Sequence, residues 1–169
     1  RVLFRSNIAT TSPQSGETGV EYIYVDWSDG GAISHTITTP GTATTYTANF
    51  TTQYYLTMNT GTGGTVSPAS GCHNAGAGVQ ISATPSGAYS FASWTGTGSG
   101  SYTGSNNPAN VTMNGPVTET VAFTLNPGAI TVNTIVTGGS FTVDGTTYTS
   151  EQVFNWQPGS QPTIATTSP

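Results

Sequence analysis

Lysine does not occur in this sequence, and the only arginines are Arg1 and Arg5. Seven Asp and Glu side chains stand against them, for a formal net charge of -5. Nucleic-acid binding draws most of its affinity from Lys and Arg at phosphates, so the composition argues against it. Attraction to anionic membrane surfaces fails on the same ground. The absence of lysine excludes Lys-Asn isopeptide cross-links between residues 7 and 169, and it leaves trypsin no site there. Charged residues make up 5% of the chain, against about 25% in ordinary soluble domains, so solubility rests on Thr, Ser, Asn and Gly. With Cys72 as the one cysteine, no disulfide can form within the chain. No apolar run approaches the roughly 20 residues of a membrane-spanning helix, and no window carries the three- and four-residue apolar spacing of an amphipathic helix.

What is present reads as β-structure. Short segments rich in Val, Ile, Thr, Tyr and Phe alternate with Gly, Pro, Asn and Asp clusters, the pattern of sandwiches built from antiparallel strands. The expected fold class is all-β: tandem small β-sandwich modules with antiparallel strands and essentially no helix. Expected strands include residues 21–27, 34–38, 44–50, 79–83, 110–113, 118–123 and 152–156. Asp29-Gly30-Gly31 and Asp144-Gly145 supply turns, since Asp-Gly tolerates positive φ. Residues 69–78, with Cys72 and His73, read as a loop.

Two kinds of repetition organise the chain. Ile8-Ala9-Thr10-Thr11-Ser12-Pro13 recurs letter for letter as Ile164-Ala165-Thr166-Thr167-Ser168-Pro169, which reads as one period of a tandem array with a short overlap. Separately, the aromatic positions of Tyr22-Ile23-Tyr24-Val25-Asp26-Trp27 match those of Tyr89-Ser90-Phe91-Ala92-Ser93-Trp94, and a strand ending in phenylalanine follows each, at Phe50 and Phe123. The expected division is then residues 7–52 as the C-terminal half of one module, 53–126 as a complete module, and 127–169 as the N-terminal half of the next copy of the split module. Residues 1–6, Arg-Val-Leu-Phe-Arg-Ser, read as a translated sequencing adapter and are left out of the expected fold.

Gly63-Gly64-Thr65-Val66-Ser67-Pro68, Ala75 to Pro85, and Gly87 to Trp94, in that order, resemble the divergent repeats related to the internalin B-repeat. Trp27-Ser28-Asp29-Gly30-Gly31 and Tyr46 to Phe50 resemble the closing half of the same kind of module, and residues 130–169 resemble the small PEGA-type sandwich. The Cys72-His73 pair departs from the pattern, where an aromatic residue is expected. The resemblance implies an extracellular, non-catalytic spacer or adhesive module of a bacterial secreted or cell-surface protein, with neighbouring repeats as its partners.

Chemistry-bearing residues are few. Asp26, Asp29 and Asp144 are the carboxylates near turns that could share a calcium ion, which wants six to eight oxygens; Asp-Gly is first of all a hairpin signal. His35 and His73 lack the spacing of a zinc site. No Gly-x-Ser-x-Gly elbow or nucleophile-base pair is present, so the expectation is no enzyme and no cofactor. Trp27, Trp94 and Trp156 could stack sugars, with Trp156 the better candidate. Trp27 and Trp94 occupy equivalent strand ends, which favours a shared core role, as for Phe50, Tyr89, Phe91 and Phe123. Three functions are carried forward: structural spacer or adhesive module, self-assembly of copies head to tail by strand complementation, and polysaccharide binding.

Overall fold

The computed structural model describes residues 4–166. Residues 1–3 and 167–169, which fall in the expected adapter segment and the second hexapeptide, therefore lie outside the described residues. Among the described residues the secondary structure is sixteen strands and no helix. β1 (Arg5–Ala9) pairs antiparallel with β4 (Ser34–Thr38). Arg5 and Ser6, left out of the expected fold, thus open a strand. β2 (Gln14–Ser15) and β3 (Val20–Trp27) join β5 (Ala48–Asn59). β5 runs unbroken through the expected boundary between residues 52 and 53. Its first half pairs antiparallel with β3, and its second half pairs in parallel with β11 (Val117–Leu125) along the same edge. The parallel pair departs from the antiparallel expectation.

On the far side of β11 lies β9 (Tyr89–Thr97), and on the other edge of β5 lies β7 (Gly71–Asn74). β7 corrects the expected loop at 69–78: Cys72 and His73 are strand residues opposite Tyr55 and Tyr54. Against this sheet packs a second one, β10 (Ala109–Thr112), β8 (Gly78–Pro85) and β6 (Gly64–Ser67). Strict alternation fills the space between them: Val79, Ile81 and Ala83 from β8 and Val111 from β10 meet Leu56, Met58, Trp94, Val117 and Val121. Glycine is forced at Gly64, where an added Cβ would collide with the Thr84 carbonyl oxygen and the Phe123 ring.

The last unit is a smaller sandwich. β12 (Gly128–Val132) pairs with β15 (Gln152–Trp156), and β13 (Phe141–Val143) lies between β14 (Thr146–Tyr148) and β16 (Ile164–Thr166). The hairpin at Asp144-Gly145 forms as expected, with φ of 47° and 80°. A column of rings runs between the layers: Phe141 on Tyr148, Tyr148 edge-on to Phe154, Phe154 stacked on Trp156 at 5.0 Å.

The aromatic repeat is also a repeat of the ladder. Tyr24 faces Phe50 and Trp27 faces Ala48; Phe91 faces Phe123 and Trp94 faces Val121. Each ladder skips one residue, Val25 in the first and Ala92 in the second. Two residues three apart on a regular strand point to opposite faces, and the bulge turns both rings to the same side.

Candidate functional site

A cavity of about 650 Å³ lies where β3 and β11 meet end to end along β5. Glu17, Gly19 and Glu21 line one side, Gly98 and Pro116 the other, with Tyr55 and Cys72 among the remaining walls. The Tyr55 N–H donates to the Gly19 carbonyl at 2.9 Å, continuing the ladder across the gap. Gly19 has φ 77°, and a Cβ there would lie 3.0 Å from Pro116, so the close approach of the two units uses a glycine. Burial pushes the Cys72 thiol up, and the Glu21 carboxylate beside it pushes it further. A thiol so placed is a poor nucleophile at neutral pH.

The calcium candidates are dispersed among separate hydrogen bonds. Asp26 Oδ1 accepts from Asn49 Nδ2 at 2.6 Å, and Asp144 Oδ1 accepts from the Thr163 N–H at 2.8 Å. Asp29 Oδ2 lies 2.9 Å from His35 Nε2. Among the described residues no three His, Cys, Asp or Glu side chains converge as a metal site would require. Asp29 and His35 form the one ion pair between side chains that the described residues contain. His35 Nδ1 also faces the Ala32 carbonyl at 2.7 Å. Both ring nitrogens face acceptors, an arrangement only the doubly protonated ring satisfies. The hydrogen bond to Asp29 accordingly raises His35, and its counterpart lowers Asp29. Trp27 packs edge-on to the His35 ring at 6.0 Å and donates its Nε1–H to the Ile33 carbonyl.

Trp94 is fully buried in the middle core, whereas Trp156 keeps an open flank. With Phe154 against one face, its ring lines a shallow groove with Ile130, Pro158, Gln157 and Ser160. Tyr89 and Phe123 both lie against the Gly63-Gly64 turn.

One residue escaped the sequence reading. Glu119 is fully buried on β11. Its Oε1 accepts the Tyr102 N–H at 2.7 Å, while Oε2 has no protein partner. Burial pushes its carboxyl above the usual carboxylate range, against a smaller lowering by the Tyr102 N–H. Trp94 Nε1 is likewise buried and without a protein partner. Trp94 stands opposite Val121, two residues along β11 from Glu119 and on the same face. The signal was in the letters: in Val117-Thr118-Glu119-Thr120-Val121 the alternation sets Glu119 on the side of the two valines.

The ordered elements from Tyr54 through Phe123 carry the comparison with known proteins. Residues 54–127 match the divergent InlB B-repeat domain family. This segment is thus similar to the repeats of that family. Domains of this type occur in bacterial surface proteins. No curated protein and no solved structure matches the chain.

Proposed function

We infer that this chain is a non-catalytic extracellular spacer or stalk segment of a bacterial surface or secreted protein. The observation that carries the reading is the seam between the first unit and the repeat domain. A single strand, β5, belongs to both units, and the Tyr55–Gly19 hydrogen bond and the Gly19–Pro116 contact close the gap beside it. Units joined through a shared strand resist bending more than units joined by a flexible linker, which suits a module whose work is to extend and space. The family match supports the surface setting.

Small-angle scattering on one and on three genetically fused copies tests the reading. A maximum dimension that grows in proportion to copy number is expected. A radius that grows as a flexible chain would overturn it.

Polysaccharide binding has one observation in its favour, the open flank of Trp156 beside Gln157 and Ser160. Retention on a polysaccharide column that Trp156→Ala abolishes, with the fold intact, is the result that reading requires.

A further inference from the structure

The hexapeptide that occurs twice enters a strand in both places, Ile8-Ala9 in β1 and Ile164 to Thr166 in β16, and the two copies use opposite edges. In the C-terminal unit β16 pairs with β13, with Ile164 opposite Val143, Ala165 opposite Thr142 and Thr166 opposite Phe141. The Asp144 N–H donates to the Thr163 carbonyl at 2.9 Å. Antiparallel ladders alternate, so the backbone groups of Thr163 and Ala165 turn toward β13 while those of Ile164 and Thr166 turn away. In the N-terminal unit Ile8 stands opposite His35. The Thr10 N–H donates to the Ile33 carbonyl, and the Thr39 N–H donates to the Phe4 carbonyl. Here the groups of Ile8 and Thr10 turn toward β4, and those of Ala9 turn away.

Laying Ile8 on Ile164 therefore gives one strand whose two edges are both satisfied, in register, with no residue claimed twice. The faces agree as well. Ile164 shares its side of the sheet with Phe141 and Val143, and Ile8 shares its side with Ile33, His35 and Ile37. Each half also leaves apolar groups in water: Ile130 is 45% and Ile164 49% exposed, and Ile33 is 37% exposed. Among the described residues β1 and β16 each have one unpaired edge, the usual template for adding a strand.

We propose that two copies of this chain join by strand exchange: β1 of one copy takes the seat of β16 beside β13 of the other. The product is a sheet in the order β14-β13-β1-β4, with its last two strands from the second copy. β16 is the strand that leaves, because it has three residues in its ladder where β1 has five. Its replacement carries the same Ile-Ala-Thr, so the exchange loses no side-chain contact with β13 and adds β4 to the sheet. The interface is heterologous and leaves the other end of each copy open, which allows growth head to tail. This goes beyond the spacer reading and does not depend on it, since fused copies test reach and separate copies test exchange.

The register supplies the experiment. In a Cys72→Ser background, protein carrying Ile8→Cys is mixed with protein carrying Val143→Cys and oxidised. The proposed register makes these two a non-hydrogen-bonded pair, the closer kind, within disulfide reach. Phe4→Cys, on the same face but about 13 Å further along the strand, is the control partner. The first pair is expected to give a disulfide heterodimer in at least about ten-fold higher yield than the control. Equal yields, or none from either pair, would overturn the proposal. Light scattering on the unaltered chain guards against a misfolded variant. Its mass should climb with concentration, and a constant monomer mass across the range would sink the exchange.

Discussion

The β3–β5 and β9–β11 ladders are two copies of one pattern with different fates. Both pair an aromatic-rich strand with a phenylalanine strand, and both bulge one residue after the second aromatic ring, at Val25 and at Ala92. Yet Trp94 is fully buried, whereas among residues 4–50 every residue keeps part of its surface in water. The difference lies in what covers the ladder. Trp94 faces a three-stranded sheet that brings Val79, Ile81 and Val111; Trp27 faces the two-stranded β1–β4 ribbon and a histidine. The ladder geometry is thus carried by local spacing, while the stability of the core depends on a second layer supplied from elsewhere.

Emptying the two tryptophan sites should break the comparison most sharply. Trp94→Ala removes a fully buried side chain from the middle core. The expected loss is about 3–5 kcal/mol, a large share of a typical domain's stability. Trp27→Ala acts on a half-exposed side chain and should cost less, about 1–2 kcal/mol. Denaturant melts of the two variants measure both. Equal losses would mean that the covering layer does not set the difference between the two ladders.

The middle core differs from the flanks in a second way, since it contains a carboxyl. Glu119 has its pKa raised by burial, so the folded state holds this proton more tightly than the unfolded chain. Its contribution is fully present below the unfolded value near 4.5 and is lost as pH rises through the folded value. Glu119→Gln keeps the oxygen that accepts the Tyr102 N–H and removes the buried charge. At pH 7 it should stabilise the middle unit by about 1–3 kcal/mol, with an advantage that shrinks as pH falls toward 4.5. Urea melts at several pH values read this slope. An advantage that stays constant with pH would mean that Glu119 titrates normally.

Much of this architecture was legible because strands announce themselves by alternation. β4 and β15 fall on their expected residues, and the Asp144-Gly145 hairpin follows from turn chemistry alone. What stayed hidden depends on pairing partners far along the chain. β7 has a polar Gly-Cys-His-Asn sequence with no strand signal of its own, and β5 makes it a strand by offering an open edge. The unbroken β5 and its parallel pairing with β11 are likewise tertiary facts. The segment from Glu21 to Trp27 looked apolar on both faces because the bulge at Val25 changes the period partway. The candidate metal residues could be named but not placed together, since which carboxylates converge is set by the packing of turns rather than by their spacing. Asp26 and Asp29 are near in sequence, yet one caps a strand pair through Asn49 and the other holds His35.

That histidine gives the smallest and most local contrast between the flanking unit and the core. Where Trp94 is sealed by apolar side chains, Trp27 is held by a ring whose two nitrogens both face oxygen. His35 has its pKa raised above 6.5, chiefly by the Asp29 hydrogen bond. Its contribution to stability is fully present below that unfolded value and is lost as pH rises through the folded one. Asp29, held below 3.8 by the same bond, contributes above its unfolded value and loses that contribution as pH falls through the folded one. The pair therefore favours the N-terminal unit in mildly acidic conditions, between the two unfolded values. Ring-proton NMR titration should place His35 above 6.5, with Asp29→Asn moving it down and leaving Trp94 resonances unchanged. A His35 midpoint indifferent to Asp29→Asn would assign its protonation to the Ala32 carbonyl instead, and the contact with Trp27 would then hold without a charge pair beneath it.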